Sequence, residues 1–189
     1  MKLKMSLREQ IENYIPYNAE EEKDKEMMLK YMDIFEDVLT RKNEIGHFTS
    51  SAWAVNPDRT KVLMIYHNIY QSWGWTGGHC DGEEDVLSVA IRELKEETGI
   101  THVRPIQKEI FSLEIIGVDP HIKRGKQVAS HVHLNTTFLL EVPETEKLHI
   151  KEDENSGVKW VNMDEVISVS NEARMKPIYQ KLTNKLKGE

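Results

Sequence analysis

Apolar residues recur along this chain with two different periods, and each change of period marks a boundary between elements. Ser6-Leu7-Arg8-Glu9 has the form of a capping box and opens a short helix that stops near Pro16. From Ala19 to Arg41, the residues Met27, Met28, Tyr31, Ile34, Phe35, Val38 and Leu39 recur at helical spacing. Acids come early and Arg41-Lys42 late, as the helix dipole prefers, so one long amphipathic helix is expected. Its apolar stripe requires burial, on the domain's own core in the first instance, with a homodimer interface as the alternative.

The period then falls to two. Phe48 to Val55 and Val62 to His67 flank the turn sequence Asn56-Pro57-Asp58-Arg59 and read as a hairpin. Further strands are expected at Ile110 to Val118, at His131 to Val142 and around Val158 to Val161. The segment from His131 alternates cleanly. Val132, Leu134, Phe138, Leu140 and Val142 take one face, while His131, His133, Asn135 and Thr137 take the other. That polar row reads as a solvent-facing strand or as a cleft wall touching substrate. A zinc pair is the third reading, but no cysteine or further histidine stands at ligand spacing from His131 and His133. Helical spacing returns at the end with Met175, Ile178, Tyr179, Leu182 and Leu186, and Pro177 falls in the first turn, where it is tolerated.

The stretch from residue 78 to residue 100, GHCDGEEDVLSVAIRELKEETGI, carries the chemistry. On a helix, Glu93, Glu96 and Glu97 stand at i, i+3 and i+4, so their carboxylates share one stripe. Three like charges repel, and the position four residues after Glu93 is itself Glu97. A divalent cation would offset this repulsion, and oxygen ligands suit Mg²⁺ or Mn²⁺. Leu87, Ala90, Ile91 and Leu94 form a neighbouring stripe that anchors the helix on a core. Gly77-Gly78 permits close backbone approach, Gly99 is a helix stop, and Arg92 is expected to tie the loop residue Glu84 to the helix.

Gly78, Glu84, Arg92-Glu93-Leu94, Glu96-Glu97 and Gly99-Ile100 match every constrained position of GX5EX7REUXEEXGU, where U is bulky and apolar. The chain therefore resembles the Nudix family, strictly over residues 78–100 and as a looser outline over about residues 46–169. The resemblance implies an α/β fold, a Nudix-type α/β/α sandwich with a mixed β-sheet. Residues 1–45 would be an N-terminal helical extension, and residues 46–189 the Nudix domain with its C-terminal helix. It implies hydrolysis of a nucleoside diphosphate linked to another moiety, with Mg²⁺ or Mn²⁺ as cofactor. Carried over by position, Gly77 (through its carbonyl), Glu93, Glu96 and Glu97 would be metal ligands, with Glu93 or Glu97 closest to the attacking water. Family members often supply one more glutamate before a downstream tryptophan, and Glu154, ahead of Trp160, is the choice here.

Substrate contacts are expected from the strand row His131, His133 and Asn135, from Lys123 and Arg124 in the basic stretch after Pro120, and from Trp75 by stacking. Some family members that cleave ADP-ribose place a proline about fifteen residues beyond the box; here that neighbourhood is Leu113 to Ile116, with no proline until Pro120. Dinucleoside polyphosphate hydrolases place a tyrosine slightly further on, and Gly117 to Pro120 contains none. The substrate stays open. Two other activities share this outline: a nucleotide sensor without catalysis, and an isopentenyl-diphosphate-isomerase-like enzyme, which would need a catalytic cysteine deep in its pocket.

Composition narrows the class. With 25 basic and 32 acidic residues the formal charge is −7, which argues against binding a nucleic-acid duplex through its phosphates. An acidic protein with an anionic substrate needs cations between the two. The one cysteine, Cys80, excludes an internal disulfide and reads as an incidental loop thiol. No apolar run reaches the ~18 residues of a membrane span, and MKLKMSLREQ lacks a signal-peptide core, so no membrane partner and a cytoplasmic location are expected.

Overall fold

A computed structural model describes residues 5–123 and 125–188. Ser6 caps α1 (Leu7–Asn13) through the reciprocal capping box with Glu9, and Asn18 caps α2 (Ala19–Ile34) by accepting from the Glu21 N–H. The chain continues through β1 (Gly46–Val55), β2 (Lys61–His67), β3 (Ser72–Gly74) and β4 (Thr76–His79) to α3 (Val86–Thr98). Then come β5 (Arg104–Pro105), β6 (Ser112–Val118), β7 (His121–Lys123), β8 (Lys126–Val128), β9 (His131–Glu141) and β10 (Asn155–Asn162). The helices α4 (Val166–Val169) and α5 (Met175–Lys187) close the fold.

The main sheet runs β10-β2-β1-β9-β5, with β3 on β2, β4 on β1 and β6 on β9. Only the long β1–β9 ladder, from Gly46 opposite Val132 to Val55 opposite Glu141, is parallel; the other pairings in this sheet are antiparallel. Because successive side chains point to opposite faces, each central strand feeds two cores. Phe48, Ala52, Ala54, Leu134, Phe138 and Leu140 pack with Val86, Ala90 and Leu94 of α3 on one side. Trp53, Val55, Val62, Met64 and Leu139 pack with Met175, Tyr179 and Leu182 of α5 on the other. The mixed sheet between helices is the expected sandwich.

The second helix is shorter than its sequence pattern predicts. It ends at Ile34, which is 72% exposed, as is much of Met27. Val38 and Leu39 reach the core from a turn-containing segment instead, with the Phe48 N–H donating to the Val38 carbonyl. Tertiary contacts override the helical spacing here: Arg41 makes a bidentate pair with Asp81, and the Gly82 N–H donates to the Leu39 carbonyl. The segment after α2 thus braces the loop that precedes α3. Leu7, Ile11, Tyr14 and Met28 join the α3-side core, so the amino-terminal helices pack on the domain itself.

The polar row of β9, read as a solvent-facing strand or a cleft wall, divides: His131 and His133 are partly exposed, while its second half is buried. Asn135 is 1% exposed and Thr137 is fully buried, because Lys181 of α5 and Glu21 of α2 reach across this face to Glu114 and Ser112 of the neighbouring β6. Glu114 on β6 takes hydrogen bonds from Asn135 and Thr137 and an ion pair from Lys181 of α5, which also pairs with Glu21 of α2. No described helix is long and apolar enough to cross a membrane.

Candidate active site

Asp85 caps α3 by accepting from the Ser88 N–H and hydroxyl. Gly99 ends the helix at φ 74°, a conformation that costs a side chain with a Cβ about 1 kcal/mol or more. Between these stops the carboxylate stripe grades from buried to open. Glu97 is only 3% exposed, the Glu93 side chain is 15% exposed, and that of Glu96 is 47% exposed.

The loop before the helix is built around these acids. The Gly77 N–H donates to Glu97 Oε2 at 3.0 Å. The carboxyl of Glu93 lies against the Cα of Gly78, where any Cβ would collide with it. From the far side of the chain, Lys151 Nζ stands 3.3 Å from Glu96 and 3.1 Å from Glu154, and so draws Glu154 onto the stripe. Asn155 holds that approach in place by donating to the Glu97 carbonyl at 2.9 Å. The structure therefore brings Gly77, Gly78, Glu93, Glu96, Glu97 and Glu154 together. Lys151 and Asn155 were missed in the sequence, where only Glu154 of the run KEDEN was singled out.

Arg92 departs from expectation. Its partners are Glu93, at 3.1 Å, and Glu96, at 4.0 Å, rather than Glu84, which is exposed in the loop. A guanidinium one residue from Glu93 already lies beside it, whereas Glu84 precedes the cap.

Burial raises the Glu97 carboxyl well above the usual carboxylate range, against the Gly77 N–H, and the charges of Glu154 and Glu93 push it further. Burial likewise raises Glu93, with Arg92 opposing. An acid this buried beside two others is short of positive charge, and a set made only of oxygen donors is what Mg²⁺ or Mn²⁺ takes. Lys151 shows that a cation is accepted between these groups. The residues fit a hard divalent ion.

The expected substrate contacts are scattered. Trp75 meets the Tyr179 ring edge-on, its backbone N–H donates to the Tyr179 hydroxyl, and it packs with the α5-side core. Asn135 uses its carbonyl on Thr49 and Ser51 and its amide on Glu114 and Thr137, so it braces the sheet. Lys123 lies at the end of β7 in a small hairpin, and Arg124 lies outside the described residues. His131 and His133 lie together, and the expectation that no further histidine joins them is overturned: His47 and His79 converge on the same place.

Cys80 is 2% exposed, and burial pushes its thiol up to about 12. It is expected to stay unmodified by a thiol reagent in the folded protein and to react once denaturant is added. Fast labelling under native conditions would contradict this burial. An isomerase relying on a reactive cysteine finds no support here.

The chain matches the family model of the NUDIX domain over residues 47–186. The m7GpppN-mRNA hydrolase NUDT17 of Xenopus laevis is 31% identical over 111 residues, which make up 56% of this chain but only 36% of that protein. An Ap4A hydrolase from C. elegans, solved as a binary complex, superposes with a TM-score of 0.56 at 20% identity, over 75% of this chain and 98% of that one. A NUDIX-family hydrolase from Clostridium perfringens gives a TM-score of 0.52 at 20% identity, over 75% and 96% of the two chains. At such identities the structural likeness speaks for the fold, and the fold agrees. With the box complete around a capped carboxylate helix and the family match extending from β1 through α5, this chain belongs to the Nudix family.

Proposed function

We propose that this chain hydrolyses the diphosphate linkage of a nucleoside diphosphate joined to another moiety, with Mg²⁺ or Mn²⁺ as cofactor. The observation that carries the reading is Glu97: a carboxylate almost fully buried beside Glu93 and Glu154, oriented by the Gly77 N–H. Glu93, Glu96, Glu97, Glu154 and the Gly77 carbonyl would hold the cation. Bound there, it supplies positive charge to the bridging phosphates and polarises the phosphorus under attack.

The chain's own groups do the rest. Glu93, packed against Gly78, or Glu97, held by the Gly77 N–H, would take the proton from the attacking water. The water oxygen bonds to phosphorus, the bridging P–O bond breaks, and the leaving phosphate departs with that electron pair. Gly78 lets Glu93 lie flat against the loop. Gly78→Ala should therefore lower turnover by roughly 100-fold with the circular dichroism unchanged, because displacing a reacting carboxylate by about 1 Å costs about that much. Lys123 and Arg124, in the basic stretch after Pro120, are the proposed grip on a terminal phosphate.

A hydrolysis screen tests the reading. Purified protein would meet nucleoside triphosphates, nucleotide sugars, ADP-ribose, dinucleoside polyphosphates and, since a relative is named for m7GpppN-mRNA, a cap dinucleotide, each with Mg²⁺, Mn²⁺ or chelator. Metal-dependent release of phosphate or nucleoside monophosphate from one class is expected. Binding without turnover across the panel would favour the sensor.

A further inference from the structure

We propose that His47, His79 and His133 form a second metal site, selective for a zinc-class transition ion and separate from the carboxylate stripe. Sheet register creates it. In the parallel ladder His47 stands opposite His133, and His79 stands opposite Thr49, two residues along β1 from His47. Residues two apart on β1 share a face, so three strands deliver three imidazoles to one spot. The ring centroids lie 5.1 Å apart for His47 and His79, 5.2 Å for His47 and His133, and 4.9 Å for His79 and His133. One ring nitrogen from each lies within 4.8 Å of the others.

His47 supplies the independent observation. It is 4% exposed, and its Nδ1 lies 2.9 Å from the Asn43 carbonyl. A carbonyl only accepts, so Nδ1 carries the proton and Nε2 presents a bare lone pair. That Nε2 is buried with no hydrogen-bond partner, so it forfeits the partner it would have in water unless something fills the site. A ligating histidine characteristically donates its other ring N–H to a backbone carbonyl in this way. His131 repeats the pattern at the rim: its Nδ1 faces the Ala129 carbonyl at 2.9 Å, and its Nε2 lies 3.2 Å from His133 Nε2.

Neutral imidazoles suit Zn²⁺ and its neighbours, whereas Mg²⁺ and Mn²⁺ prefer the oxygens of α3. Zn–N bonds of about 2.0–2.1 Å place tetrahedral ligand atoms about 3.3 Å apart, so ring nitrogens within 4.8 Å of one another need close by at most about 1.5 Å. Three imidazoles leave one tetrahedral position for water or an anionic oxygen. His79 ends the strand that carries Gly77 and Gly78, which makes an oxygen of a bound phosphate a chemically apt fourth ligand.

The test is titration of the metal-stripped full chain with Zn²⁺ by calorimetry, and with Co²⁺ by visible absorption, where tetrahedral nitrogen ligation gives intense bands that octahedral oxygen ligation does not. One equivalent of Zn²⁺ is expected to bind tightly to the native protein and to Glu97→Gln alike. His47→Gln, His79→Gln and His133→Gln should each weaken it by at least about 100-fold and remove the cobalt bands. Should His47→Gln fail to fold, the half-buried His79 and His133 decide the matter. Equal affinity in the histidine variants, no stoichiometric Zn²⁺ in the native chain, or loss of Zn²⁺ only in Glu97→Gln would overturn the site. None of those outcomes touches diphosphate hydrolysis, which the substrate screen reads separately.

Discussion

Glu97→Gln is expected to lower the metal-dependent hydrolysis rate by at least about 1000-fold while leaving the fold intact. The exchange removes a charge without changing volume, and a glutamine carbonyl can still accept from the Gly77 N–H. Stability supplies the control. The Glu97 carboxyl is raised in the folded chain above its unfolded value. Its contribution to stability is therefore full below the unfolded pKa and is lost as pH rises through the folded one. In metal-free protein at neutral pH, glutamine removes that penalty, so the variant should melt no lower than the native chain. Chelated samples followed by thermal melting, beside rates measured with Mg²⁺, check both halves. A variant that turns over normally would remove Glu97 from the reaction, and one that melts much lower would show that it holds the fold instead.

The second large effect lies away from the chemistry. Lys181→Met should destabilise the protein by about 3–5 kcal/mol, the cost of leaving buried charge without its partner. Lys181 Nζ lies 3.0 Å from Glu21 and 3.0 Å from Glu114, and both carboxylates are at most 2% exposed. With methionine in place, two acids face each other in the interior, and the ion pair left to them among the described residues is Lys185, 3.7 Å from Glu21. Denaturant unfolding measures the loss. Adding Glu21→Gln and Glu114→Gln to Lys181→Met should recover much of it, since an uncharged trio leaves nothing uncompensated. An unchanged unfolding midpoint in the single variant would mean that water reaches this cluster. The trio joins α2, β6 and α5, so its loss should also loosen the amino-terminal helices, with hydrogen exchange rising first across residues 7–34.

What could be read from the chain and what could not divide along the range of the interactions. Local rules sufficed for the capping box at Ser6, the stop of α3 at Gly99, and the Glu93, Glu96 and Glu97 stripe, because each depends on residues about one helical turn apart. Strand alternation located β1, β2, β6 and β9 for the same reason. It failed at the end of α2, where helical spacing continued past Ile34 but contacts to Asp81 and Phe48 drew the segment out of the helix.

By itself, then, the sequence determined the carboxylate helix, its glycine loop, the family and the sandwich that follows. Only the tertiary structure decided that the face of β9 at Asn135 is covered, that Lys151 carries Glu154 to the stripe, that Lys181 sits between Glu21 and Glu114, and that four histidines meet. These depend on which strand lies beside which and in what register. Register is set by burying two apolar faces at once, a constraint shared by the whole sheet and carried by no short stretch of the chain.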